Sequence, residues 1–143
     1  MKTWIIAFGV VAMTAVATST YAQHCACCAG SGFGNYNVAA ETTVTGTIDE
    51  VRTMGPSGGA MGGVHLMVNT PSGLTEVHVG PTWYVSSKNM VFEKGDTLTI
   101  VGSSTIVAAK GVIIAREITK GAQTLALRDA SGLPLWAGHH HGR

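Results

Sequence analysis

Alternating apolar and polar residues run through most of the chain from Glu41 onward, and this alternation predicts strands. Between Thr43 and Asp49, β-branched and apolar side chains alternate with polar ones, as on a strand with one buried face. Five further stretches predict strands at 64–68, 75–79, 97–102, 112–118 and 124–129. Residues 81–88 predict the one helix, because Pro81 suits a first helical turn.

Three strands, a helix and further strands within residues 41–137 follow the element order of the oligonucleotide/oligosaccharide-binding (OB) fold. Five motifs carry a resemblance: T-G-T-I at 45–48, G-P-x-W-Y at 80–84, K-G-D-x-L-x-I-x-G-S at 94–103, A-R-E-I at 115–118 and L-R-D-x-x-G-x-P-x-W at 127–136. On these motifs the chain resembles small exported bacterial OB-fold proteins. The resemblance implies an all-β fold, a five- to six-stranded Greek-key barrel with one short helix between strands 3 and 4. It implies no reaction, because this fold hosts many functions.

The first 22 residues have the pattern of a secretory signal peptide. Lys2 gives a positive start, residues 4–17 form an apolar run, and small residues lead to a cleavage site after Ala22. Cleavage after Ala17 and an uncleaved membrane anchor are the alternatives. We therefore expect a signal peptide (1–22), a flexible Cys-containing arm (23–40), an OB-like barrel domain (41–137) and a His-rich tail (138–143). After cleavage we expect a periplasmic or secreted protein with no membrane span.

The charge of the chain argues against nucleic acid as a partner. There are 9 Lys and Arg against 8 Asp and Glu, and 12% of the residues are charged. Lys2 leaves with the signal peptide, so the remainder has no net charge before histidine is counted. Binding through phosphates needs a basic excess, which is missing. No serine lies in a G-x-S-x-G elbow and residues 55–63 lack a phosphate-loop ending, so we expect no enzymatic activity.

The three cysteines lie within four residues and form the first candidate metal site. Cys25 and Cys28 form a C-x-x-C pair, Cys27 lies between them, and His24 precedes them. In an oxidising compartment the pair predicts a disulfide, and the odd cysteine a thiol that pairs between chains. As thiolates, together with His24, these residues suit Cu(I) or Zn(II). Both interpretations stay open.

The hairpin of strands 2 and 3 carries the second candidate site. Because apolar residues at 64, 66, 68, 77 and 79 define the core face, one set of polar residues shares the opposite face: His65, Met67, Glu76 and His78. A two-residue loop at 71–72 places His65 across from His78, about 5 Å apart at Cβ. A three-residue loop, which turn statistics favour, shifts this register by one. Two facing imidazoles near a thioether suit copper or zinc, although the pattern by itself favours a solvated strand face.

Two aromatic residues of the predicted helix, Trp83 and Tyr84, are candidates for stacking on a ligand. Adjacent helical residues point about 100° apart, so one of the two belongs to the core, and we expect Trp83 there. We expect Trp136 to plug the barrel. Three tail residues resemble a truncated purification tag and, if native, bind metals weakly: His139, His140 and His141.

These features predict an exported, non-catalytic OB-fold protein that binds a metal ion or a small ligand. Copper or zinc fits its cysteine and histidine residues best. The alternative is an adaptor that binds an envelope protein or polymer through the exposed face of strands 2 and 3, the usual ligand surface of this fold. Nucleic-acid binding comes third.

Overall fold

Six strands and one α-helix make up the part of the protein that the computed structural model describes, residues 36–55, 62–107 and 109–137. They are β1 (Glu41–Met54), β2 (Gly63–Thr70), β3 (Gly73–Pro81), α1 (Thr82–Ser87), β4 (Thr97–Val107), β5 (Lys110–Lys120) and β6 (Gln123–Ala126). A 3-10 helix, Val38–Ala40, leads into β1. Within these residues no helix has the length and apolar content to cross a membrane. The predicted signal peptide, the cysteines and the histidine tail lie outside the described residues.

Five of the strands close into a barrel, and β6 extends its sheet. The strands follow the order β3-β2-β1-β4-β5-β6, with antiparallel neighbours throughout. A parallel pairing of β3 with β5, from Glu76↔Val112 to His78↔Ile114, closes the barrel. The structure thus confirms the predicted all-β, OB-like barrel with one short helix between strands 3 and 4.

Branched aliphatic side chains fill the barrel, as the alternation along the strands predicts. Every second residue of a strand points to the same side, so one set of strand positions is buried together. Ile48, Leu66, Val77, Ile100 and Ile118 are among the residues that are at most 1% exposed. This burial removes large apolar surfaces from water and supplies the main stabilising contribution to the fold.

The helix α1 contributes Tyr84, and not Trp83, to this core. Tyr84 and Val85 are buried, while Trp83 is only half-buried and meets the Tyr84 ring edge-on, with ring centroids 5.8 Å apart. Pro81 precedes the helix, and Asn89, with φ +53°, ends the turn after it. Asparagine tolerates this left-handed conformation better than most residues. The expectation for Trp83 was wrong because adjacent helical positions are hard to rank from sequence.

The turn between β2 and β3 has two residues, Pro71 and Ser72, and it sets the register of the hairpin. The hydroxyl of Thr70 donates to the Gly73 carbonyl at 2.8 Å and accepts from the Ser72 amide at 3.2 Å. Gly73 has φ +112°, a conformation that glycine adopts without steric cost. Thr70 and Gly73 consequently pair across the turn. The three-residue loop favoured by turn statistics is therefore wrong.

Strand β1 passes so close to β2 at Gly46 that no larger residue fits. A Cβ there would lie 2.5 Å from the carbonyl oxygen of Asn69 and 2.6 Å from a methyl of Val68. Beyond this point the register of β1 against β2 shifts between Ile48 and Glu50, which marks a bulge. The close approach and the bulge together let β1 pair with β4 in its first half and with β2 in its second.

Residues 127–137, here called the C-terminal segment, fold back onto the barrel. The predicted sixth strand was too long: β6 ends at Ala126, and the amides of Leu127 and Arg128 both donate to the Arg116 carbonyl, at 2.8 and 3.1 Å. Trp136 does not plug the barrel. It is half-buried and lies on Gly80 of β3, where a Cβ would be 3.0 Å from the indole ring. The segment thus covers one side of the barrel wall.

Candidate metal centre

The register of β2 and β3 brings three metal-ligating side chains together. His65 pairs with His78, and Met67 pairs with Glu76, as the two-residue loop predicts. Glu76 and His78 are two residues apart on β3, so their side chains share one face. The donor atoms of His65, Glu76 and His78 all lie within 4.8 Å of one another. We call these three residues the His–Glu–His cluster; in the described part of the chain it is the one such group of three.

Glu76 joins the two imidazoles of the cluster. Its Oε1 lies 2.9 Å from Nδ1 of His65 and 3.2 Å from Nε2 of His78. The two imidazole centroids are 4.1 Å apart, and the rings are tilted by 38°. One carboxylate oxygen is therefore within hydrogen-bond distance of both rings and links them.

The histidines keep the Glu76 carboxyl ionised. The hydrogen bond to His65 lowers the pKa of Glu76 below its usual value, and the charges of both histidines act in the same direction. Partial burial raises the pKa but does not outweigh these contributions. A metal ligand must be deprotonated, so the ionised carboxylate is in the form that binds a cation.

The cluster is buried, and the expectation of a solvated strand face was wrong. His65 and His78 are 4% and 6% exposed, and the side chain of Glu76 is 25% exposed. The physical reason is that the C-terminal segment covers this face of the hairpin. Its residues Arg128 and Trp136 line, together with both histidines, a small, partly open space of about 10 Å³. That is about the space one water molecule requires.

Arg128 holds this cover in place, and sequence reasoning missed it. The residue is 5% exposed and donates to the Gly132 carbonyl at 3.0 Å. Its guanidinium lies between the rings of Tyr36 and Trp136, 5.1 and 5.3 Å from their centroids. Each cation–π contact of this kind contributes about 0.5–2 kcal/mol. A basic residue directly after buried Leu127 was the available sequence signal, and it is a weak one.

The other predicted ligand-binding residues take different places. Met67 is half-buried and lies next to the cluster through its register with Glu76. The Tyr84 hydroxyl donates to the Ala126 carbonyl at 3.2 Å, and its ring packs against Trp136 with centroids 5.3 Å apart. Trp83 lies at the edge of the core. Seven predicted metal ligands fall outside the described residues: His24, Cys25, Cys27, Cys28, His139, His140 and His141.

One family of known proteins matches the barrel. The model of the MamS/MamX magnetosome protein family matches residues 40–125, which is more than half of the chain. The matched region runs from the start of β1 into β6 and contains all three residues of the His–Glu–His cluster. Its description names no OB fold, so the OB-like assignment rests on the architecture of the barrel. No curated protein matches the chain.

Proposed function

This chain belongs to the MamS/MamX magnetosome protein family, and we propose that its barrel binds one divalent transition-metal ion through His65, Glu76 and His78. The observation that carries the proposal is the convergence of three donor atoms within 4.8 Å. An ion with ligands at about 2.0–2.2 Å in tetrahedral geometry needs donors about 3.4 Å apart. Oε1 of Glu76, at 2.9 and 3.2 Å from the two ring nitrogens, is already close to this spacing.

The donor atoms of the His–Glu–His cluster limit which metal ions it can bind. Two imidazole nitrogens and one carboxylate oxygen suit Zn²⁺ and Cu²⁺, and they also suit Fe²⁺. The cluster contains no thiolate, which is the ligand type that Cu⁺ prefers. Three protein ligands leave one coordination position for water, and the partly open space beside the histidines, about 10 Å³, has that size.

The proposed role is to hold the ion. The space beside the histidines is about 10 Å³, close to the size of one water molecule, which supports a binding role. The signal-peptide pattern of residues 1–22 supports a location outside the cytoplasm. The family description supports a role at the magnetosome.

The test is a titration of the exported full chain with Co²⁺, a coloured substitute for Zn²⁺, followed by competition with Zn²⁺ and Cu²⁺. One equivalent of Co²⁺ should give the visible bands of a four-coordinate site with nitrogen and oxygen ligands. His78→Ala and Glu76→Gln should each weaken binding by at least about tenfold, because removing even an outer partner of a metal ligand costs that much.

The control is His140→Ala, which removes a histidine outside the cluster and should leave the cluster's affinity unchanged. Circular dichroism of each variant verifies that the barrel still folds. The proposal fails if the Co²⁺ spectrum shows thiolate bands that disappear in Cys28→Ser and persist in His78→Ala. It also fails if no ion binds at micromolar concentration.

A further inference from the structure

A second cleft lies at one mouth of the barrel and shares no residue with the His–Glu–His cluster. It has a volume of about 520 Å³ and lies between the start of β1, the β2–β3 turn and the start of β5. Ligand sites in proteins are commonly of about this size, and barrel mouths are one of their usual locations.

The cleft runs along the edge of β1 and not along one of its faces. Four consecutive residues, Thr42 to Thr45, line it. Successive side chains of a strand point to opposite faces, so a cavity that touches four in a row lies at the strand's edge. On one side these residues pair with β4. On the other side the ladder to β2 begins only at Thr47↔Asn69.

The backbone of β1 is therefore open toward the cleft. Within the described residues, the groups of Thr42 to Thr45 that point away from β4 have no strand to pair with. Strand β3 has a similar gap, because its ladder to β5 begins only at Glu76↔Val112. Open edges of this kind are templates for another strand.

The side chains around the cleft are uncharged. Seven of the described lining residues carry hydroxyl groups, among them Thr42, Thr45 and Ser104. The other five are apolar or glycine. A hydroxyl both donates and accepts hydrogen bonds. Val112 and Ile113 on β5 are 2% and 5% exposed and add apolar surface to the lining. A charged ligand would find no counter-charge on this lining.

We propose that this cleft binds an extended, uncharged peptide segment of a partner protein, which adds as a strand to the open edge of β1. Backbone hydrogen bonds supply affinity in such complexes, and shallow side-chain pockets supply selectivity. Four strand residues span about 13 Å, which sets the length of the paired stretch. A saccharide is disfavoured because the described lining has no aromatic ring on which a sugar could stack. The hydrogen-bonding groups of the cleft instead follow the strand, which suits a peptide backbone.

The probe is a displayed library of uncharged seven-residue peptides, selected on the full chain. Selected peptides should bind the wild-type protein and slow hydrogen exchange at alternate amides of Thr42 to Thr45. N-methylation of every second peptide amide, in each of the two registers, should abolish binding in one register and spare it in the other, because only one side of a strand pairs with β1.

Two proline variants supply the matched comparison. In an antiparallel strand, the N–H groups of neighbouring residues point to opposite sides. Of Thr42→Pro and Thr43→Pro, both at exposed positions, one therefore removes an amide that faces the cleft and the other breaks the ladder to β4. The variant that keeps the wild-type melting temperature should lose peptide affinity by at least tenfold.

Four results would overturn the proposal: no enrichment of any peptide, undiminished binding to the variant with the wild-type melting temperature, unchanged hydrogen exchange at Thr42 to Thr45, or displacement of the peptide by a neutral disaccharide such as maltose. A fifth result, self-association of the protein that protects the same amides, would also overturn the proposal, because it would assign the edge to a second copy of the chain. The exchange measurement needs no variant, so the result stands even if both proline variants unfold.

Discussion

Glu76 is the residue on which the candidate metal centre depends most. Its Oε1 is within 3.2 Å of both imidazoles, and the side chain is three-quarters buried. Hydrogen bonds to an ionised group contribute about 1.5–3 kcal/mol, roughly twice as much as neutral ones. The same carboxylate that would bind an ion thus stabilises the two histidines when no ion is bound.

Replacing Glu76 by glutamine should lower the free energy of unfolding by about 1–2 kcal/mol at neutral pH, measured by urea denaturation with a chelator present. The pKa of Glu76 is lower in the folded chain than its usual value of 4.5. Its stabilisation is therefore complete above pH 4.5 and is lost as the pH falls through the lowered folded value. The difference between wild type and variant should shrink over that acidic range.

The groups that face Glu76 are His65 and His78, and Arg52 lies within electrostatic reach. Glu93→Gln, at an exposed position of the loop before β4, is the control and should change stability by less than about 0.5 kcal/mol at any pH. An equal loss of stability in both variants, or a difference that does not depend on pH, would contradict the assigned role of Glu76.

At this scale, the sequence predicted which residues face one another but not where they lie relative to solvent. The pairing of His65 with His78 follows from alternation and a two-residue turn, both of which are local. Their burial depends on Arg128 and Trp136, which are fifty or more positions away in the chain, and strand periodicity carries no information about such partners. The prediction that Trp83, and not Tyr84, packs in the core failed because a helix this short does not show in its sequence which of its sides faces the barrel.

Among the elements, the C-terminal segment is the one that covers the face of the β2–β3 hairpin on which the His–Glu–His cluster lies. It has no regular structure, and Asp129 organises it: its Oδ1 accepts from the amide of Ser131 at 2.9 Å, from the hydroxyl of the same residue at 2.6 Å, and from the amide of Leu133 at 3.0 Å. Such local hydrogen bonds stabilise a compact turn without a helix or strand. The cover is therefore fixed by side-chain contacts together with backbone hydrogen bonds, such as that from the Leu135 amide to the Leu127 carbonyl at 3.0 Å.

Trp136→Ala should open the cover and expose the histidines. The loss of ring contacts with Gly80, Tyr84 and Arg128 should cost about 2 kcal/mol, less than for a fully buried tryptophan because Trp136 is only partly buried. Carbethoxylation of His65 and His78, followed by mass spectrometry, should become several-fold faster.

Leu135→Ala, at the position before Trp136, provides the matched control. Leu135 is 39% exposed and does not line the space beside the histidines. It should leave the modification rates unchanged. If His65 and His78 are carbethoxylated no faster in Trp136→Ala than in wild type, under conditions where both proteins remain folded, the segment does not control access to the cluster.

Element type and order were predictable, whereas element ends were not. The alternation gave each of the six strands and the helix, because it reflects which side of each element is buried. β1 and β4 extend beyond the predicted ends, to Met54 and Val107, where pairing with a neighbour continues although the pattern fades. The last strand is shorter than predicted because Leu127 and Arg128 turn back onto Arg116.

At the scale of the whole molecule, the two ends of the described chain meet on the same side of the barrel. The Tyr36 hydroxyl donates to Oε1 of Glu41 at 2.5 Å, and Arg116 donates to the same oxygen at 2.8 Å. The ring of Tyr36 packs on Gly132 and on Arg128 of the C-terminal segment. The segment before β1 thus supports the cover over the cluster.

This junction should make stability decline at alkaline pH. Burial, and then the hydrogen bond to the Glu41 carboxylate, raise the pKa of Tyr36 above its usual value of 10.0. A group whose folded pKa is raised stabilises fully below its unfolded pKa, so this contribution is complete below pH 10 and is lost as the pH rises toward the folded value. Tyr36→Phe should cost about 1 kcal/mol at neutral pH and flatten the alkaline decline.

The measurement is urea denaturation across the alkaline range, together with the tyrosinate absorbance of folded and urea-unfolded wild-type protein. Tyr36 should ionise later in the folded chain than in the unfolded one. If wild type and Tyr36→Phe lose stability in parallel as the pH rises, the tyrosine does not secure this junction.

The closed barrel was predictable as a whole, and the family was not. Strand number, strand order and the position of the helix follow from local pattern, and a chain of this size suits one small barrel. Nothing in periodicity, charge or cysteine spacing points to a magnetosome protein, because a fold of this type hosts many functions. The charge balance argues against nucleic acid as a partner. The three donor residues of the His–Glu–His cluster can be identified as a group only in the folded structure.

The separation in sequence between the cluster and its cover has a consequence for the order of assembly. His65, Glu76 and His78 lie on one hairpin, whose contacts are local and form early in folding. The C-terminal segment leaves the ribosome, and any export channel, after that hairpin. The three donors are thus in place before the cover closes, so the proposed ion can bind while this face of the hairpin is still open. In the folded protein the side chain of Glu76, 25% exposed, leaves the ion a second route to the cluster.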